Sequence, residues 1–285
     1  MEYFSDVYLK LAWTLPLVAL AVATSYFLVF KVYADYFKPL RIQSTPYTKK
    51  LFVNDAFWSV LNIAGAVFVG VALHHLWMHG FIAFNTASPS IVNLIFEFIA
   101  IFFLFDITYY FLHRALHQEP FYSWIHIHHH KTFNPNFFTA FAFHPLEGIL
   151  AGSIALFWVW ILNFHVHTIL TILVFQGMMN FSVHFAHEYF PKGWLDKWYT
   201  KWFISPTFHD LHHSRVNCNF GGFTSIPDSL MSTLTPDLKK IFDAIKQRKA
   251  KHDEEALNFQ IPFPETKAAD INKQPIKDPK LSAEI

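Results

Sequence analysis

Apolar residues fall in long blocks along this chain, and the polar breaks between the blocks predict its architecture. Residues 11–30 are almost wholly apolar. Twenty residues at a helical rise of about 1.5 Å match a hydrocarbon core of about 30 Å. A cleavable leader is the rival reading, because Ala19, Ala21 and Ala23 resemble a small-residue cleavage pattern. The residues before the block carry Glu2 and Asp6 rather than a basic cluster, and the apolar run continues past the alanines. The block is therefore read as a retained transmembrane helix. Further apolar blocks run over 56–77, 91–112, 146–162 and 166–183, the second of these broken only by Glu97 and Asp106. The last two are joined by the short Asn163-Phe164-His165 link and predict a hairpin that dips into the membrane and returns.

The charge pattern orients these blocks. Lys31, Lys38, Arg41, Lys49 and Lys50 crowd the segment 31–50, whereas 79–89 carries no Lys or Arg. By the positive-inside rule the 31–50 loop is cytoplasmic and the N-terminus lies outside. The block over 91–112 then delivers His113 to the cytoplasm, and the hairpin leaves the later polar segments on the same side. The predicted fold class is all-α: a polytopic membrane protein of four to five apolar helices with a cytoplasmic, histidine-rich helical cap. Trp194, Trp198 and Trp202 recur every four residues beside Lys192, Lys197 and Lys201, which predicts a helix lying in the membrane interface. The bland alternative is an ordinary amphipathic helix on the cap's own core. Residues 237–250 predict a surface helix, and the last twenty residues, with Pro275 and Pro279, a disordered tail.

Composition supports a membrane class. Hydrophobic residues make up 53% of the 285 and charged residues only 15%, against about 25% charged in a soluble domain. A net charge of +1 gives no general field for nucleic acid. The single Cys218 excludes an intramolecular disulfide and a cysteine-rich metal site.

Histidine is the unusual residue. The stretch 113–213 holds 14 of the 18 histidines. His113 and His117 form an HxxxH pair; His126, His129 and His130 form an HxxHH group, and so do His209, His212 and His213. Residues at i, i+3 and i+4 share a helix face, so each group presents converging imidazoles. An isolated HxxxH pair is a common packing pattern, but three such groups on one predicted side of a membrane point to metal. Eight imidazoles exceed the four that close one zinc site and would furnish two ions. Neutral imidazole suits Zn, Cu, Fe and Ni alike, so ligand type does not select the metal. His184 and His187 return to the same side at the end of the hairpin, and at least one is expected to join the set. His128 projects elsewhere on a helix, and His144 suits a supporting role as well as a ligand's. His74, His75, His79, His165 and His167 fall on the far side, and His252 lies in the tail. Asp106, Arg114, Glu147, Glu188 and Asp210 are candidates to orient imidazoles or simply to form salt bridges and caps. The soluble di-iron pattern of Glu with Glu-x-x-His is absent, and His187-Glu188 lacks the second histidine of a zincin.

At these residues the chain resembles the fatty acid hydroxylase/sterol desaturase superfamily of integral-membrane di-iron oxidases, and most of all the sterol C5-desaturases. The resemblance rests on the run from His113 through His126-Ile-His-His129-His130-Lys-Thr, on Ala142-Phe-His144-Pro145-Leu-Glu147-Gly148, and on Thr207-Phe-His209-Asp-Leu-His212-His213 with Asn219-Phe220-Gly221-Gly222. It covers 106–228. The resemblance implies two non-haem irons held by His113, His117, His126, His129, His130, His209, His212 and His213, with a further ligand at His184 or His187. It implies O₂ as co-substrate and two electrons from cytochrome b5 or a ferredoxin-like carrier. The expected reaction is desaturation or hydroxylation of a C–H bond in a lipid drawn from the bilayer, most of all a sterol-like one. Fatty-acyl, sphingolipid and carotenoid hydroxylation on the same scaffold is the alternative, and a histidine-based metal transporter or sensor the more remote one. The implied division is transmembrane helices over 1–112, a catalytic region over 113–235 with the membrane hairpin at 146–187, and a polar tail over 236–285. The implied location is the endoplasmic reticulum in a eukaryote or the inner membrane in a bacterium. Phe133, Phe137, Phe138, Phe141 and Phe143 would line the lipid's access route or pack as core. The chain departs from the family at Pro227 and Ser232, where Trp and Gly are usual, and in the extra His128.

Overall fold

A computed structural model describes residues 32–251 together with Thr24 and Leu28. The apolar block 11–30, His252 and the proline-bearing tail lie outside the described residues. Among those described, the chain is nearly all helical, with isolated β-bridges and no strand. The expected all-α class is what the chain adopts.

Six helices of ten or more residues carry the fold: α1 (Lys49–Met78), α2 (Ile91–Leu116), α3 (Pro145–Ile161), α4 (Val166–Val183), α5 (Pro206–Arg215) and α6 (Leu238–Lys251). Their starts are chemically marked. Thr48 and Ser90 accept the Leu51 and Asn93 amides at the heads of α1 and α2. His144 caps α3 through Nδ1, which accepts the Leu146 amide, and Pro145 fills the next position. Helices α1, α2 and α4 are long and apolar enough to cross a membrane, and α3, at 17 residues, is a shorter apolar partner.

Burial along α1 is inside-out. Its only fully buried residues are Asp55 and Asn62, whereas Phe57, Val60, Val67, Phe68 and Val71 are exposed. In water this would be untenable; in lipid it is the expected arrangement, with polar groups facing the bundle. Asn62 donates to the Phe141 carbonyl, and Gly148 on α3 lies so close that a Cβ there would sit 1.8 Å from Asn62 Oδ1. Small residues at such crossings let membrane helices approach closely.

The bundle has two distinct ends. At one, Glu97 near the start of α2 accepts from the His165 backbone amide and lies 2.6 Å from His165 Nδ1, with the Thr168 hydroxyl also donating to it. These groups tie α2 to the α3–α4 link. At the other end converge the C-termini of α2 and α4 and the N-termini of α1 and α3. Two cores hold this arrangement. One packs Ile101, Phe102, Phe105, Ile154, Val159 and Ile172 of the bundle around Phe223; the other packs Leu40, Ile42, Val183, Phe208 and Leu211 against Leu238, Ile241 and Ile245. Helix α6 thus buries an apolar face and keeps Lys239 and Lys240 in solvent.

The interfacial helix expected over 194–203 is not formed. Gly193 at φ +78° ends the preceding turn, and the segment proceeds as successive turns. Its backbone bonds across to 223–225 instead: the Ile204 amide donates to the Phe223 carbonyl and the Ser225 amide to the Trp202 carbonyl.

Candidate metal centre

Nine histidines meet at the second end of the bundle, in two groups. His113, His117, His126, His130 and His212 form one; His129, His184, His209 and His213 form the other. Within each group the ring nitrogens lie within 4.8 Å of one another, and all nine residues are buried. Each HxxHH motif is divided between the groups. His126 and His130, at i and i+4, serve one group while His129 serves the other; His209 and His213 serve the second while His212 serves the first. Successive residues turn by about 100°, so i+4 lies about 40° to one side of i and i+3 about 60° to the other, and adjacent i+3 and i+4 rings diverge into different groups.

Local structure aims the rings. His126 closes a π-helical turn, Tyr122–His126, that runs directly into the turn Ile127–His130; such wide turns recur at functional sites. Helix α5 is capped by Ser205, which accepts the Phe208 amide, and every residue from Pro206 to Ser214 is buried. The chain then reverses through Val216 and Asn219 at φ +67° and +59°. A β-branched residue at positive φ is strained, and here the strain turns two carbonyls back on the histidines. The Nδ1–H of His212 donates to Cys218 O at 2.7 Å and that of His113 to Phe220 O at 2.8 Å. His184 donates likewise to Asn180 O at 2.7 Å and His213 to Thr132 O at 3.0 Å. His126 Nδ1 lies 2.9 Å from a Glu147 carboxylate oxygen.

These bonds fix the tautomers. A carbonyl only accepts, so each of these four Nδ1 atoms carries the proton and each Nε2 keeps its lone pair. Yet the Nε2 atoms face one another: His113–His126 at 3.2 Å, His130–His126 at 3.0 Å, His209–His184 at 3.0 Å, His213–His209 at 3.2 Å and His184–His129 at 3.4 Å. The four carbonyls fix one ring at most in each of these pairs; with the partner's lone pair also turned inward, the two would repel unless a cation lay between them. Around a metal with bonds of about 2.0–2.1 Å, ligands at roughly 90–110° stand about 2.9–3.4 Å apart, the range seen here. His212 Nε2 and both nitrogens of His117 are buried with no hydrogen-bond partner. Burial, reinforced by neighbouring imidazoles, holds the pKa values of His117, His126, His129, His130, His209 and His213 well below the usual histidine value. Neutral imidazole is the form that binds metal. The residues fit two ions.

His187 is placed in neither group. The last turn of α4 ends at Val183, with His184 as its C-cap, and Ala186 at φ +58° swings the chain away. His187 Nδ1 donates to Phe185 O, and its backbone bridges to Arg41. His128 also lies outside, its ring stacked 3.9 Å from Trp58. Of the expected orienting groups, Glu147 alone stands beside a grouped ring. Asp106 accepts the Phe223 and Thr224 amides, Glu188 the Phe190 and Thr207 amides, and Arg114 donates to Tyr110. Asp210 accepts from Gln43, and burial pushes its carboxyl up to about 8.

Two supporting residues escaped the sequence reading. Asp55 accepts from the Tyr47, Thr132 and Thr139 hydroxyls at 2.9, 2.8 and 2.9 Å, and so fixes the residue whose carbonyl holds His213. Gln43 bridges Asp210 to the Phe133 carbonyl. Asp55 adjoins the first residue of an apolar block, where a charge reads as a terminus. Among the phenylalanines, Phe143 packs 4.4 Å from the His129 ring, whereas Phe137 stacks on Phe181 and Phe138 packs on Phe52. Ser232 takes φ +57°, the left-handed region that favours glycine.

Residues 98–233 match the fatty acid hydroxylase family. A Delta(7)-sterol 5(6)-desaturase of Gibberella zeae is 26% identical over 144 residues, covering 50% of this chain and 43% of that protein. A C-4 methylsterol oxidase of Schizosaccharomyces pombe is 29% identical, covering 51% and 49%. A second Delta(7)-sterol 5(6)-desaturase, of Aspergillus fumigatus, is 30% identical, covering 51% of each. The chain spans about half the length of these curated relatives. No solved structure matches it.

Proposed function

We propose that this chain, a member of the fatty acid hydroxylase/sterol desaturase superfamily through residues 98–233, is a membrane-bound non-haem di-iron oxidase. Its reaction would use O₂ and two electrons to desaturate or hydroxylate a C–H bond of a sterol-like lipid. The observation that carries this reading is the division of nine buried histidines into groups of five and four. Bound there, two irons would supply the oxidising power that an unactivated C–H bond demands.

The protein's own part is positional. Carbonyls of Thr132, Asn180, Cys218 and Phe220 hold four imidazoles in the tautomer that leaves Nε2 free. Burial keeps the rings neutral and excludes bulk water, which would otherwise compete for the ions and quench the chemistry. The position at the end of a lipid-facing bundle suits an apolar substrate that arrives from the bilayer, with Phe143 as the aromatic wall nearest a ligand ring. The required electrons would come from a carrier such as cytochrome b5 or a ferredoxin-like protein, delivered on the cytoplasmic side. A histidine-based transporter would place its ligands near the bilayer midplane; gathering them at the helix ends favours an oxidase.

Metal analysis of the purified protein should give about two irons per chain. His212→Ala and His129→Ala should each lose about one ion and at least roughly 10²-fold in turnover, because even groups that only orient ligands are worth 10–100-fold. His187→Ala should keep both ions. Lipid extracts from cells with and without the gene would then be compared by mass spectrometry. A product about 2 mass units lighter marks desaturation and one about 16 heavier hydroxylation. One zinc per chain with no O₂-dependent product would overturn the reading.

A further inference from the structure

Part of the cap reaches down into the helical bundle. The exposed apolar stripe of α2 runs Ile91, Ile95, Ile99, Phe103, Ile107 and Phe111. Twenty residues at about 1.5 Å each span roughly 30 Å, a full hydrocarbon core. Asp106 lies five residues, about 7–8 Å, inside the end that Phe111 marks. Yet Asp106 accepts the amides of Phe223 and Thr224, which come from the cap. The Phe223 ring goes deeper, stacked 5.1 Å from Phe102 and 5.0 Å from Phe105, within a core shared by α2, α3 and α4. Residues 202–204 are bonded to 223–225 and travel with them.

Beside this plunging segment stand exposed apolar side chains. Leu230 and Trp198 are each 78% exposed, and Tyr199, Phe203 and Met231 are exposed as well. Such a patch in water marks a missing partner. Lys201 holds its ammonium 4.4 Å from the centre of the Trp202 ring, and Lys197 lies over Tyr199 at 5.9 Å. Aromatic rings with lysines beside them are the pattern of the headgroup border. Irregular chain at membrane depth must satisfy its own amides. In and beside the two segments those of Thr200, Lys201, Phe203, Ile204, Ser225, Ser229 and Met231 donate to backbone carbonyls, and those of Phe220 and Gly221 to Asp228.

We propose that residues 198–203 and 223–231 are sunk into the bilayer leaflet beside α2, so that Leu230, Met231 and Trp198 contact lipid directly. The occupant of this face is lipid, because the segment is anchored on α2 at the level of Phe102, Phe105 and Asp106, inside the membrane-spanning length of that helix, and its outward side chains are apolar. The insertion stands whether or not the oxidase reading does.

The test uses the full chain in phosphatidylcholine vesicles containing a fifth phosphatidylglycerol, about 20%, with an environment-sensitive fluorophore on single introduced cysteines. Leu230→Cys and Trp198→Cys are compared with Ile107→Cys on the α2 stripe and Lys240→Cys on the polar face of α6. Labelled parent protein, which retains Cys218, supplies the background. Leu230 and Trp198 labels should match the Ile107 label: quenched by nitroxides on the acyl chains and protected from aqueous iodide by at least about tenfold relative to Lys240. Iodide quenching equal to that at Lys240 would overturn the insertion. Protection from both quenchers would also overturn it, since the face would then be covered by a second copy or another protein.

Discussion

Single residues decide whether this cluster can hold metal, and the decisive ones include groups that touch no metal. Asp55 is fully buried and accepts three hydroxyls, one of them from Thr132, whose carbonyl fixes His213. Asp55→Ala should therefore weaken metal at the four-histidine group by about 10–100-fold, measured by competition with a chelator, while the five-histidine group retains its ion. Equal loss from both groups would mean a general collapse rather than a positioning role. The gathering of the histidines was legible from spacing, but the division of each HxxHH motif between two groups was not, because i+3 and i+4 diverge by about 100°. Nor was the choice between His184 and His187. Spacing assumes that a helix continues, and α4 ends at Val183, with Ala186 turning the chain aside. Asp55 was hidden for another reason: its partners Thr132 and Thr139 are remote in sequence, and no local pattern announces them.

Between elements, contacts are set by fit and by charge. Gly148 admits Asn62 across the α1–α3 crossing, so Gly148→Ala should lower the melting temperature in detergent, and the added Asn62→Ala should restore part of it. No recovery in the double variant would show that the crossing is not governed by this pair. Helix α6 presents a different cost. Lys246 is buried, donates to the Glu188 carbonyl, and is pushed down to about 8 by burial, only partly offset by the Glu188 carboxylate. The unfolded chain then binds a proton that the folded chain does not between about pH 8 and the ordinary lysine value of about 10.4. Stability from this group therefore rises with pH across that window and is handicapped below it. Lys246→Met should raise the melting temperature most below pH 8, with the advantage shrinking towards pH 10. A constant difference across that range would sink this account. The hairpin and the long helices were readable as apolar blocks, since lipid tolerates little else. The segment 194–203 departs from the expected helix because it runs as successive turns whose end, at 202–204, bonds across to 223–225, a partner remote in sequence.

For the whole molecule, the membrane bundle and the cap share one structural problem: a buried core of neutral imidazoles packed nitrogen to nitrogen. The proposed metal ions would relieve it. Removing the ions with a chelator should lower the melting temperature steeply, since a ligand at about 1,000 times its dissociation constant stabilises the folded state by about 4 kcal/mol. Restoring iron should restore the transition, and an unchanged melting curve would show that the cluster is stable empty. The matched region, 98–233, contains every grouped histidine but not Asp55, Gln43 or α6. The surrounding helices therefore complete a site whose ligands the family region supplies.

The sharing of both groups by α5 has a consequence in time. His212 closes the first group and His209 with His213 the second, so neither set is complete until nearly the last residue of that helix has been synthesised. By then α1 to α4 have all been synthesised. If the proposed irons bind there, assembly proceeds around an empty centre and iron is loaded late. A cell short of iron would accumulate inserted but unloaded protein, rather than chains arrested before insertion.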